Sequence, residues 1–373
     1  MKQIKPCEAI FFLFIGLFTL FLFILPKRDF SEREKRYLTA FPELTAAGVA
    51  DGTVRTGFED WFADHFPLRD FWVGLNAYFK LAEGRNAQQE VYRARRGYLI
   101  HAPRGGGDTE QFVKNLTRFD AFAASTGLPA TALLIPSPGE INEALLPAGH
   151  GDYQNDALYA LAGETLKTAA LLDPREALKD ANAARPVYYR TDHHLTAYGC
   201  RRSYQFMRES RGLSCLPDTE YEVETYGGFY GTNWSASGLW LTPPDTIELW
   251  DSGAAVTVTI DDGGAEPVVS DSLFFPSHLD ALDKYPVYLD GNHALTTIEN
   301  PGAEGGTLLV IKDSYAHGFA PFLSSDYKTV YLLDLRFYRG SVSSFAKEHG
   351  VEELLYLYGV DSLLTDSNSA WLM

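Results

Sequence analysis

Cysteine is scarce in this sequence. Among 373 residues there are three, Cys7, Cys200 and Cys215. A disulfide-stapled scaffold is thereby excluded, because such domains are cysteine-dense. One pairing is open, between Cys200 and Cys215 in an oxidising compartment, and two thiols are weak evidence for it. Positive charge is also in deficit: 32 Lys and Arg stand against 49 Asp and Glu, a formal net charge of −17. No basic run occurs, so the sequence offers no electrostatic footprint for nucleic acid. Low-complexity tracts and internal repeats are absent. The glycine run Gly105-Gly106-Gly107 lacks the following Lys-Ser/Thr pair of a phosphate-binding loop.

What is present is a large apolar fraction, 46%, with 14% aromatic residues. That is enough for a substantial core in one large or two ordinary domains. The first feature is Ala9 to Leu25, seventeen residues without a charge, followed by Pro26-Lys27-Arg28-Asp29 and no small-residue cleavage site. This reads as an uncleaved membrane anchor over residues 1–29, with a buried core helix as the alternative. Lys2 and Lys5 precede it, and Lys27, Arg28, Arg33, Lys35 and Arg36 follow it. Counted alone, these charges place the following domain on the cytoplasmic side.

Residues 30–55 read as a stalk, and residues 56–373 as an α/β domain. Short continuous apolar runs, Ala130 to Ile135, Leu308 to Ile311, Val330 to Leu333 and Leu354 to Tyr358, alternate with helical patterns over 109–126, 155–182 and 196–211. Strands of this kind belong to a parallel sheet covered on both faces. Val187-Tyr188-Tyr189 reads as a further short strand. Between about 220 and 300 short strands alternate with turns, a β-rich insertion.

Ligands of open parallel sheets bind beyond the carboxyl ends of strands. Two such ends carry reactive residues: Val187–Tyr189 leads into Asp192, His193 and His194, and Leu308–Ile311 leads into Asp313 and Ser314. A serine hydroxyl needs a base to accept its proton. An imidazole serves near neutral pH, and a carboxylate orients the ring and stabilises its cation. Ser314, His194 and Asp192 could therefore form an acyl-transfer triad, leaving His193 for structure or substrate. The bland alternatives stay open. Ser314 could be a helix cap, Thr191 or Asp192 could cap the helix after 195, and Asp192, His193 and His194 could bind a metal with His317 or His293.

"TDHHLTAYG", "LLVIKDSYAHGFAPFL" and "YLLDLRFY", with "FEDWFADHFPLRD", "YGGFYGTNWSASG" and "YLDGNHAL", resemble the DHHW proteins. These are similar to the alginate O-acetyltransferase group, whose domains have an SGNH-hydrolase-like fold. The resemblance implies an SGNH-like parallel sheet flanked by helices, and an extracytoplasmic domain in spite of the charge count. It implies acyl transfer to a cell-surface polysaccharide with Ser314 as nucleophile, His194 as base and Asp192 as its orienting carboxylate. The Asp-x-His pair precedes the serine in that group, as it does here. No metal or organic cofactor is implied; a membrane-bound partner supplying the acyl group is. A carbohydrate esterase and a non-catalytic glycan-binding protein, with Tyr230, Trp234 and Trp240 as platforms, are the alternatives. Leu195 stands where the family motif has Trp. For the oxyanion, the Ser314 amide and Asn292 are candidates, and Arg336 could orient the site, bind substrate or pair structurally with Asp334.

Overall fold

The structure is a computed structural model that describes residues 5–104, 108–264 and 266–372. Lys2 and the Gly105–Gly107 run lie outside these. The chain forms two compact units, one of residues 1–89 with Trp234–Leu241, the other of Glu90–Asn233 with Thr242 onward.

The first unit begins with α1, Pro6–Ile24, with a mean hydropathy of 2.5 and almost no burial. Its length and composition fit a membrane anchor or a signal segment. Residues 30–55, expected as a stalk, contain a two-strand hairpin, Phe30–Ser31 with Arg36–Tyr37, and a short helix, Ala46–Asp51. Arg36 and the backbone and hydroxyl of Thr39 bind Asp64, whose carboxyl is held well below its ordinary range by Arg36. Asp64 lies on α2, Thr53–His65, and α3 follows over Arg69–Ala82. Pro67 separates the two helices because its ring cannot continue the first.

The second unit is built on an eight-stranded sheet. Its strands in chain order are β1 Ala130–Ile135, β2 Ala170–Leu172, β3 Thr257–Asp261, β4 Val268–Ser270, β5 Leu295–Glu299, β6 Gly305–Lys312, β7 Tyr327–Leu333 and β8 Glu353–Gly359. Their spatial order is β4-β3-β5-β7-β6-β8-β1-β2. The five strands from β7 to β2 are mutually parallel, and β5, β3 and β4 extend the sheet in antiparallel fashion. Strands β3 to β5 of the expected β-rich insertion thus join the central sheet. The rest of that segment pairs with itself, Glu222–Phe229 against Asp245–Asp251.

Alternation along β6 explains its continuous apolar run. Leu308 and Val310 enter one core, and Leu309 and Ile311 enter the other. The first core is closed by α6, Arg175–Ala184, and α7, Ala197–Glu209; the second by α4, Glu110–Thr126, α5, Asn155–Thr165, and α8, Val342–Glu348. The helical stretch expected over 155–182 is interrupted by β2, so it forms two helices. Past their first residues the central parallel strands β6, β8 and β1 are buried on both faces, and β6 opens at its carboxyl end into Asp313-Ser314.

Candidate active site

Val187–Tyr189 is not a strand of the sheet. It is one side of a tight loop closed by the Tyr188–Leu195 bridge, with the Tyr189 amide donating to the His194 carbonyl (3.2 Å) and the Thr196 amide to the Val187 carbonyl (2.9 Å). The loop makes these two backbone bonds between its own two sides. It is fixed in place by Asp245, a buried carboxylate that accepts from the Arg190 amide (3.0 Å), the Thr191 amide (2.7 Å) and the Thr191 hydroxyl (2.6 Å). Burial pushes the Asp245 carboxyl up, against those three donors. Thr196 caps α7, accepting from the Gly199 amide, so Thr191 and Asp192 are not its caps.

This loop presents Asp192 and His194, both buried. Asp192 Oδ1 accepts from His194 Nδ1 (2.5 Å) and from the His194 amide (2.9 Å). Its Oδ2 accepts from the Thr232 amide (2.6 Å) and hydroxyl (3.0 Å). All four contacts ask for an acceptor, which fixes the group as a carboxylate with its proton partner on Nδ1. Nε2 is then left as an acceptor, and Ser314 Oγ lies 2.8 Å from it. Gly231 passes so close to the carboxylate that a Cβ there would stand 2.1 Å from Asp192 Cβ.

Ser314 begins a 3₁₀ turn after β6, Ser314–Phe319, but does not cap it. Asp313 does, accepting from the Tyr315 amide (2.9 Å), while its second oxygen accepts from Gly359 N–H (2.9 Å) at the end of β8. Asp313 thereby ties the serine turn to the neighbouring strand, and the Ser314 hydroxyl remains directed at His194. The Ser314 amide is among the donors that a helical N-terminus leaves without an intrahelical acceptor.

Two tyrosines link the loops. Tyr285 stacks on the His194 ring, with centroids 3.8 Å apart and planes 10° apart, and donates to the Ser314 carbonyl (3.1 Å). Tyr315 donates to the His193 carbonyl (2.8 Å) and meets His194 edge-on. Their hydroxyls are forced well above the ordinary tyrosine range by burial, so both remain protonated donors. Neither is marked by sequence pattern, because each reads as a core aromatic.

His193 does not reach Ser314 in these contacts. Its Nδ1 meets Thr232 Oγ1 (2.7 Å), and burial together with the neighbouring His194 depresses it to about 3. Asn292 and Arg336 fall in a second cluster. Arg336 pairs with Asp334 (2.5 Å) and donates to Asn292 Oδ1 (2.8 Å). The fully buried Asp334 also takes Lys312 (3.1 Å), and Lys312 Nζ donates to His317 Nε2 (2.8 Å). Burial lowers Lys312; burial and Lys312 hold His317 well below the ordinary imidazole range. The Asp334–Arg336 ion pair is therefore formed, and Asn292 offers its amide oxygen to Arg336.

Asp192, His193 and His194 bring potential metal-ligand atoms within 4.8 Å of one another. The two histidines expected to complete such a set are committed elsewhere, His293 to Asp262 and His317 to Lys312. Cys200 and Cys215 are free thiols rather than a disulfide.

No curated protein matches the chain. Solved structures do. A DHHW family protein from Eubacterium siraeum is 20% identical with a TM-score of 0.63, covering 74% of this chain and 92% of its own. Bacillus cereus PatB1 with a sulfonyl adduct is 18% identical with a TM-score of 0.63, covering 74% and 96%. The O-acetyltransferase domain of Pseudomonas putida AlgJ is 17% identical with a TM-score of 0.46, covering 74% and 92%. At these identities the first two likenesses are of fold. Residues 176–333, the stretch that holds Asp192, His194 and Ser314, match the sequence profile of the DHHW protein family.

Proposed function

We propose that this chain is a membrane-anchored, extracytoplasmic acyltransferase that O-acetylates a cell-surface polysaccharide through an acyl-serine intermediate. The observation that carries the reading is the hydrogen-bonded line Asp192–His194–Ser314, with Ser314 Oγ 2.8 Å from His194 Nε2 and Asp192 2.5 Å from Nδ1. Distances of this size suit proton transfer from a nucleophile to its base. Similarity to the O-acetyltransferase group in the triad motifs supplies the acyl group and the glycan.

In this mechanism Ser314 Oγ attacks the donor carbonyl as its proton passes to His194 Nε2. The imidazolium that forms is stabilised by Asp192. Negative charge on the tetrahedral oxygen is met by the Ser314 amide, with Asn292 as a second candidate donor. The donor's leaving group takes the proton from His194 and departs, leaving acetyl-Ser314. A glycan hydroxyl then gives its proton to His194 and attacks the ester carbonyl. Collapse returns the proton to Ser314 Oγ and releases the acetylated glycan. Every step uses side chains and the acyl donor; a membrane-bound partner presents the donor, and Arg336 and His193 are assigned to substrate contact.

Ser314 is only half-buried, which favours hydrolysis as the second reading, since water reaches the same ester. Turnover of an activated acetyl ester with and without oligosaccharide acceptors separates them. A transferase yields acetylated acceptor and a slow release of acetate without it. An esterase yields acetate at the same rate in both. No turnover in either condition contradicts both readings.

A further inference from the structure

Helices α2 and α3 carry large apolar side chains that remain substantially exposed. On α3, Phe71, Leu75 and Phe79 recur every fourth residue and are 58%, 49% and 60% exposed. Leu68, before α3, is 61% exposed, and Phe62 on α2 is 39% exposed. A water-facing helix carries polar residues on its outer stripe, so this row calls for an apolar medium.

The contacts of α1 say which medium. The Phe18 ring stacks on Phe66 at 5.3 Å and lies 6.0 Å from Trp72, at the junction of α2 and α3. Phe18 precedes the end of α1, Ile24, by six residues, which is about 9 Å along a helix axis. Side chains that touch Phe18 therefore sit about 9 Å inside that end of the apolar segment. The end itself is marked by Lys27, which donates to the Leu22 carbonyl and lies 5.4 Å from the centroid of the Trp61 ring. Lys27 and the Trp61 indole at that end, with Phe66 and Trp72 below them, fit the aromatic belt and flanking cation of a membrane interface. Interfacial helices bury their apolar faces by about 5–10 Å.

We propose that α2 and α3 lie in the lipid interface beside α1, with Phe62, Leu68, Phe71, Leu75 and Phe79 set into the boundary of headgroups and acyl chains. The occupant is phospholipid, because Phe62 and Phe71 of the exposed row touch Phe66 and Trp72, the two rings that Phe18 of α1 meets. The proposal rests on reading α1 as a membrane anchor. It gives the chain a second membrane attachment, one that orients its first unit as well as tethering it.

The test uses the full chain in phosphatidylcholine–phosphatidylglycerol vesicles containing a phospholipid with a photoreactive diazirine in its acyl chain. Adducts are mapped by mass spectrometry. The expected result is adducts in residues 6–24 and also in residues 58–82. A Phe71→Ser, Leu75→Ser, Phe79→Ser variant should lose several-fold of the second set and keep the first. Adducts confined to 6–24 would overturn the proposal while leaving the anchor intact. Adducts nowhere would remove the anchor reading and the proposal with it. Cross-linking of residues 58–82 to protein in native membranes, with no lipid adducts there in vesicles, would assign the face to a protein partner and overturn the proposal.

Discussion

Asp192→Asn is the most informative single change, because the four hydrogen bonds described for this carboxylate each come from a donor. Oδ1 takes Nδ1 and the amide of His194, and Oδ2 takes the amide and hydroxyl of Thr232. A carboxamide has one acceptor end. If its NH₂ faces Thr232, the part-buried amide of Thr232 loses its acceptor, at about 1 kcal/mol of stability. If its NH₂ faces His194, Nδ1 must become the acceptor and the proton moves to Nε2, where it blocks proton transfer from Ser314. Turning a triad imidazole to the wrong tautomer costs about 10⁴ in kcat, or about 5.5 kcal/mol of barrier. The assay is acetyl-ester turnover beside thermal unfolding. The expected outcome is a loss of about 10³- to 10⁴-fold in kcat with the fold retained. Turnover within tenfold of the parent in a folded Asn variant would refute the orienting role of Asp192.

Gly231→Ala adds a Cβ 2.1 Å from Asp192 Cβ and 2.3 Å from Oδ2; turnover should fall as in Asp192→Asn, whereas Gly227→Ala, where no atom lies within 4 Å, should leave it unchanged. Tyr285→Phe keeps the ring on His194 and loses the bond to the Ser314 carbonyl, about 0.5–1.5 kcal/mol, so kcat should drop no more than about tenfold; Tyr285→Leu, which also removes the stack, should cost more, and equal losses in the two would deny the stack a role. His317 is neutral in the fold and protonates readily when unfolded, so the unfolded state binds more protons below pH 6.5 and stability is lost as pH falls through that value. Between pH 7.5 and 5 this one group contributes about 2 kcal/mol of destabilisation, and His317→Asn should flatten the urea-midpoint profile over that window by a matching amount; an unchanged slope would contradict a neutral buried imidazole.

Periodicity made much of the sheet legible. Ala130 to Ile135 is a strand with the bounds its apolar run suggests, and the runs in β6, β7 and β8 lie inside longer strands, because strands buried on both faces are built mainly of apolar residues. Val187–Tyr189 has the same composition and is not in the sheet: its apolar side chains pack into the core from a loop, and composition does not distinguish the two. The β-rich stretch gave no sign that β3, β4 and β5 extend the central sheet, since β5 pairs with β7, 30 to 38 residues away. At the site, residue type and order singled out Asp192, His194 and Ser314, and the structure sets them within hydrogen-bond reach of one another. The groups that hold them were hidden. Asp313, which caps its own turn and also ties it to the end of β8, Asp245 beneath the loop, and Tyr285 over the imidazole act through contacts that, the cap itself apart, span 29 to 91 residues of chain. Lys312 reads as the polar end of a strand, yet it is buried against His317 and Asp334.

The central claim is that Ser314 carries the acyl group. The direct measurement is intact-protein and peptide mass spectrometry after brief incubation with p-nitrophenyl acetate and acid quench, with Ser314→Ala in parallel. The account predicts one acetyl group, located on Ser314, and neither the adduct nor catalysed nitrophenol release in the variant. Equal release from both proteins, or an acetyl group on another residue that persists in Ser314→Ala, would contradict it.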